Sequence, residues 1–147
     1  METSELLFTG LGALFVLLAA YGVLKLNRRN FLLGIFLWSL LPVVGEFQAY
    51  MDTGEWGMLA TMMAFIGMAI VTAPTKVPLY GSDNAAATAI ARKIGVAIIA
   101  VNVFQGYIIL SVRSDVAAQY GYYHFAIALI VIWAVLKTNS DQGFKWQ

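Results

Sequence analysis

The chain has 147 residues, of which 61% are hydrophobic and 12% are charged, with a formal net charge of +1. Soluble domains average roughly 45–50% apolar and about 25% charged residues, so this composition excludes an ordinary water-soluble fold. The sequence contains no cysteine, which excludes disulfides, thiolate metal sites and cysteine nucleophiles within it. The near-neutral charge gives no reason to expect a nucleic-acid partner.

Five apolar runs follow one another along the chain, each close to the roughly 20 residues that a helix needs to cross a bilayer. They predict a single all-α integral membrane domain over residues 1–147, a bundle of five transmembrane helices. The predicted spans are residues 6–26, 31–51, 56–73, 93–112 and 120–136. The third span is the shortest, and a re-entrant segment is its alternative. That alternative would place an acidic and a basic loop on the same side of the membrane, so five full crossings are favoured.

Basic and acidic residues alternate between the connecting segments. Basic residues follow the first, third and fifth runs, whereas acidic residues precede the first run and separate the second from the third. Cationic side chains stay on the cytoplasmic side, which predicts an outside N-terminus and a cytoplasmic C-terminus, as in a bacterial inner membrane. In the first run acids come before the apolar stretch and bases after it, the reverse of a secretory signal, so we predict a retained helix. Arg113 alone departs from the pattern, and we expect it at the outer surface, paired with Asp115, bound to lipid phosphate or solvated.

Two local features interrupt the runs. Pro42 removes a backbone donor from the second run and predicts a kink there, and Gly45 would allow another backbone to come close. The segment 74–82 is predicted to be a loop, and Ser82 or Asp83 is expected to cap the fourth helix.

Small residues at spacings of three and four allow membrane helices to approach closely. The third run carries four of them on one helix face: Gly57, Ala60, Ala64 and Gly67. We therefore predict that this helix is central in the bundle. Broader fronts occur on the first run (Gly12, Ala19, Ala20, Gly22) and the fourth (Ala91, Gly95, Gly106). Methionines of the third run are expected to fill gaps beside the small face. A copper(I) path is the alternative, disfavoured because no cysteine and only one histidine accompany them.

A set of polar residues lies within the second, fourth and fifth spans, at similar predicted depth in the outer half of the membrane: Glu46, Asn102, Gln105 and His124. A carboxylate in hydrocarbon costs several kcal/mol unless it is paired, protonated or hydrated. One interpretation is that these groups hydrogen-bond across helices and hold the bundle together, or that Glu46 extends to the outer headgroups. The other is a cavity for protons, ions or a small solute, with a Glu46–His124 pair that titrates together.

Other kinds of site have less support. One histidine and one glutamate are too few for a metal shell, so no metal site is predicted. Tyrosines in the segment 120–124 are typical of anchors at the membrane interface, and a contact surface for a partner protein or a flat ligand is the alternative.

No catalytic dyad, nucleotide-binding loop or family motif is visible. The sequence predicts a structural or accessory subunit of a larger membrane complex, or of a homo-oligomer, with no enzymatic activity and no cofactor. Expected partners are the lipid bilayer and other membrane subunits or copies of the chain. The alternative is a small transporter or channel that uses the polar residues around Glu46.

Overall fold

The computed structural model describes residues 3–74, 84–114 and 116–138. These residues form five α-helices and no strand: α1 (Thr3–Leu24), α2 (Arg28–Thr53), α3 (Trp56–Thr72), α4 (Asn84–Ser111) and α5 (Ala118–Thr138). Four helices are long and apolar enough to cross a membrane, and α3 is a shorter apolar helix of 17 residues. The five predicted helices are confirmed in order. The expected cap at Ser82 or Asp83 and most of the predicted loop lie outside the described residues.

The turn between α1 and α2 is short and fully hydrogen-bonded. Leu26 adopts a left-handed conformation with φ of 53°. Its N–H donates to the Val23 carbonyl and the Asn27 N–H donates to the Gly22 carbonyl, which together close the end of α1. The Asn27 side chain then accepts from the Asn30 N–H at 2.9 Å and caps α2. This turn reverses the chain, so α1 and α2 form a helical hairpin.

A second tight turn joins α2 to α3. Gly54 ends α2 in the left-handed region, with φ of 71°, and its N–H donates to the Tyr50 carbonyl at 2.8 Å. Helix α2 continues through Pro42, and the kink expected there stays a prediction. Gly45 is exposed, and no described atom lies within 4 Å of a Cβ placed on it, so no backbone of the described chain approaches there.

The helices are packed in a definite order. Helix α2 packs extensively on both α1 and α3, and α5 packs extensively on α4 and less so on α1. Within the described ranges, α3 and α4 meet at only a few residues. The prediction that α3 is central is therefore wrong: α3 lies at the edge of the bundle and is supported mainly by α2. Small residues permit close packing but do not specify which helix supplies the partner surface.

Glycines make the closest contacts between α1 and α2 and between α4 and α5. A Cβ on Gly34 would lie 2.5 Å from the Ala19 backbone nitrogen, and one on Gly22 would collide with the Phe31 backbone. A Cβ on Gly106 would lie 3.0 Å from the Gly121 carbonyl oxygen. The small residues expected on the first and fourth runs thus allow two helix pairs to approach backbone to backbone.

The small residues of α3 have the opposite environment. Those that we call the outer face of α3 are all exposed: Gly57, Ala60, Ala64 and Gly67. No described atom lies within 4 Å of a Cβ placed on Gly57 or Gly67. The buried residues of α3 lie on another side of the helix, where Phe65 and Met68 enter the core. The outer face of α3 therefore points away from the rest of the described bundle.

Candidate functional site

All four polar residues singled out in the sequence are buried: Glu46, Asn102, Gln105 and His124. Asn102 has no exposed surface, and His124 is 3% exposed. They come from α2, α4 and α5, and three of them fall into two groups; Gln105 is buried on α4, three residues after Asn102. Asn102 and His124 meet near the middle of the bundle, whereas Glu46 lies closer to the end that carries the α2–α3 turn.

The polar centre consists of Trp38, Asn102 and His124. The Trp38 indole Nε1 donates to Asn102 Oδ1 at 3.3 Å, and His124 Nδ1 lies 2.9 Å from the same oxygen. Asn102 Nδ2 donates to the Ile98 carbonyl at 2.9 Å, one turn earlier on α4. A buried amide in an apolar surrounding is stable only when its groups are hydrogen-bonded in this way.

The partners of Asn102 determine its orientation and place a proton on Nδ1 of His124. An indole N–H can only donate and a carbonyl oxygen can only accept, so Asn102 must direct Oδ1 to Trp38 and Nδ2 to Ile98. The oxygen Oδ1 carries no hydrogen. His124 Nδ1 must therefore be the donor in its bond to Asn102, and Oδ1 accepts two hydrogen bonds, which uses both of its lone pairs.

Aromatic and sulfur contacts extend the polar centre to α3. Asn102 Nδ2 also lies 3.5 Å from Met68 Sδ, and the Phe65 ring centroid lies 5.5 Å from that of His124. The Trp38 and His124 rings meet edge to face, with centroids 5.0 Å apart. Such geometry is the favoured one for aromatic pairs. Four helices, α2 to α5, therefore converge on Asn102 and His124.

Glu46 forms an ion pair with Arg113, with 3.6 Å between Oε1 and the guanidinium nitrogen. The same guanidinium donates to Met58 Sδ at 3.3 Å, so α2, α3 and the end of α4 are joined there. The expectation that Arg113 is a solvated interfacial residue is wrong, because both members of the pair are mostly buried. The alternative partner, Asp115, lies outside the described residues. At Nδ1, His124 is hydrogen-bonded to Asn102 and not to Glu46, the partner expected from the sequence.

Trp38 is the member of the polar centre that sequence reasoning missed. The available signal was a tryptophan in the interior of an apolar run, where the indole N–H needs a buried acceptor on another helix. The tyrosine segment 120–124 divides between two environments. Tyr123 packs edge to face on Trp38, with ring centroids 6.0 Å apart, while Tyr122 is exposed.

The described residues contain no group of three or more histidine, aspartate or glutamate side chains that could hold a metal ion.

Comparison with protein-family models, curated proteins and solved structures finds no significant match for this chain. Function must therefore be inferred from the geometry. The polar centre joins α2, α4 and α5 through hydrogen bonds to Asn102, and the outer face of α3 is an exposed surface suited to close helix packing.

Proposed function

We propose that this protein is a structural or accessory subunit of a membrane complex, or of a homo-oligomer, and that it binds its neighbour through the outer face of α3. We further propose a bacterial inner membrane with the N-terminus outside and the C-terminus in the cytoplasm. The charge alternation supports this orientation, since cationic segments are retained in the cytoplasm.

The observation that carries the proposal is the exposure of Gly57, Ala60, Ala64 and Gly67 on one side of α3. In lipid there is little hydrophobic drive for helices to associate, so association depends on close van der Waals contact. A face of small residues allows a second backbone to approach, as the glycines between α1 and α2 already do within the chain. The occupant we propose is a transmembrane helix of another subunit or of a second copy.

The polar centre supports the same proposal. Both lone pairs of Asn102 Oδ1 and its amide nitrogen are engaged by side chains and backbone of the same bundle. A path for solutes needs polar groups that can exchange partners with the passing species. Groups fixed in mutual bonds instead favour a rigid bundle that presents constant surfaces.

A matched pair of glycine substitutions tests the proposal. The chain is extracted from its native membrane in a mild detergent, and co-migrating chains are identified and counted by native mass spectrometry. Gly67→Leu fills the outer face of α3, and Gly10→Leu is the control, since Gly10 is likewise exposed in a helix with no described atom near its Cβ position. Both changes raise helix propensity by a similar amount.

We expect the native chain and the Gly10→Leu variant to retain stoichiometric partners or copies. Gly67→Leu should lose them, while its thermal unfolding temperature stays at or above that of the native chain, as in Gly10→Leu. A native chain that migrates alone would contradict the proposal. Retention of partners by Gly67→Leu would exclude the outer face of α3 as the contact.

The second candidate is a small transporter or channel for protons, ions or a small solute. The observation that favours it is the Glu46–Arg113 ion pair, because intramembrane charges often mark ion pathways. Purified protein in liposomes would be assayed for proton and cation flux, with Glu46→Gln as the variant. Flux by the native chain that Glu46→Gln abolishes would establish this candidate, and the absence of flux by the native chain would reject it.

A further inference from the structure

A cavity of about 140 Å³ lies at the end of the bundle opposite the Glu46–Arg113 pair. Its walls come from α2, α3, α4 and α5 and are mostly apolar, with Ile35, Ile98 and Val131 at the inner side. An apolar cavity of about 150 Å³ is large enough to accept benzene. This one has room for a short segment of a hydrocarbon chain.

Two arginines from different helices line this cavity. Arg28 lies in the first turn of α2 and Arg92 lies on α4, and both are half-buried. None of the described lining residues is acidic. A cation at a helix N-terminus is also unfavourable for the helix dipole, so an anion bound beside Arg28 would be stabilised by both the charge and the dipole.

The cavity is bordered by α3 and α4, the helix pair with the least mutual contact in the described bundle. Val71 and Thr72 line it from α3, and Ala91 and Gly95 line it from α4. Because these two helices meet at only a few residues, a lipid in the surrounding bilayer can reach the cavity sideways between them.

We propose that this cavity binds an anionic phospholipid, with the phosphate held by Arg28 and Arg92 and part of an acyl chain against the apolar wall. Basic pockets between membrane helices on the cytoplasmic side are a recurrent way to bind anionic headgroups. The cavity lies at the end that the charge pattern assigns to the cytoplasm. The proposal does not depend on whether the chain associates through α3.

Lipid binding by the purified full chain in detergent is measured by native mass spectrometry, during titration with phosphatidylglycerol or phosphatidylcholine of identical acyl chains. We expect phosphatidylglycerol to bind at least tenfold more tightly. Arg28→Gln and Arg92→Gln should each weaken its binding about fivefold, the factor expected for one cation near an anionic headgroup. The controls Arg29→Gln and Lys93→Gln remove exposed neighbours that do not line the cavity, and they should change binding less than twofold.

A second pair of variants tests the acyl-chain component, with inorganic phosphate as a competitor. Ala91→Phe places a ring at the cavity and should weaken binding of both lipids, whereas Ala100→Phe, at an exposed site on α4 away from the cavity, should not. Equal affinity for the two lipids, or equal loss in the control arginine and lysine variants, would overturn the proposal. Full displacement of phosphatidylglycerol by millimolar inorganic phosphate would also overturn it, because the site would then bind free anions without using the chain.

Discussion

Two regions of this molecule carry the same kind of residue in opposite environments. Between α1 and α2, glycines and alanines bring two backbones together so closely that a Cβ on Gly34 would overlap the Ala19 backbone. On the outer face of α3, Gly57 and Gly67 have open space beside them. A small-residue face therefore indicates that a helix can be approached closely. Whether the approaching helix belongs to the same chain depends on the positions of all the other helices.

The largest effect is expected at the closed contact. Gly34→Ala should lower the free energy of unfolding by about 3 kcal/mol, because the added carbon meets backbone that cannot move aside without separating α1 from α2. Gly67→Ala adds the same atom to open space, and because alanine favours a helix over glycine it should stabilise the chain by up to about 1 kcal/mol. Thermal or denaturant unfolding of both variants in detergent measures the difference. Equal destabilisation at the two sites would remove the distinction between a closed and an open face.

An intermediate effect is expected at the polar centre, where the Trp38–Asn102 bond joins α2 to the α4–α5 pair. Asn102→Leu keeps the side-chain size but removes the acceptor for Trp38 and His124, and we expect a loss of about 2 kcal/mol. Ser39→Ala is the control, since this buried hydroxyl donates within its own helix to the Ile35 carbonyl. The same unfolding assay applies. If Ser39→Ala lost as much stability as Asn102→Leu, hydrogen bonds between helices would contribute no more to stability than one within a single helix.

The smallest effect is expected in the turns that create the two environments. Gly54 adopts its positive φ without a side-chain penalty, whereas Leu26 holds a similar φ with a Cβ atom. A left-handed conformation costs an L-residue about 1–2 kcal/mol, which glycine avoids. Because glycine also loses more conformational entropy on folding, Leu26→Gly should stabilise the chain by only about 0.5 kcal/mol. Asn27→Ala, which removes the cap of α2, should destabilise it by about 1 kcal/mol. A destabilised Leu26→Gly variant would mean that the Leu26 side chain contributes packing that outweighs its backbone strain.

The number and order of the helices were predictable because apolar length alone determines them. The burial of Asn102 and His124 was predictable for a related reason: a polar group inside an apolar run must face the interior of the bundle, where it can be hydrogen-bonded. The pairing of these groups was not predictable, since it depends on how each helix is rotated about its axis. Arg113 illustrates this, because its place in the chain indicated an interfacial residue, while the end of α4 brings it to Glu46.

The position of α3 could not be derived from its composition. Its small residues at helical spacing suggested a central helix, yet the four residues of its outer face are all exposed. The buried and exposed sides of α3 are both apolar: Phe65 and Met68 are buried, whereas Met63 and Ile70 are exposed, so hydrophobicity does not distinguish the two sides. The cavity beside Arg28 and Arg92 could not be predicted either, because the distance between basic residues on two helices depends on how those helices pack.

In the membrane setting that we propose, the unequal lengths of α2 and α3 would affect the lipid around the chain. At 1.5 Å per residue, the 26 residues of α2 extend about 39 Å and the 17 residues of α3 about 26 Å. The hydrocarbon layer of a bilayer is about 30 Å thick, so α2 is longer than this layer and α3 is shorter. A helix that is too short for its bilayer is accommodated by local thinning or by oligomerisation. We therefore expect thicker bilayers to strengthen the tendency of α3 to acquire a neighbour and thinner ones to relax it, which would make membrane thickness itself a regulator of assembly.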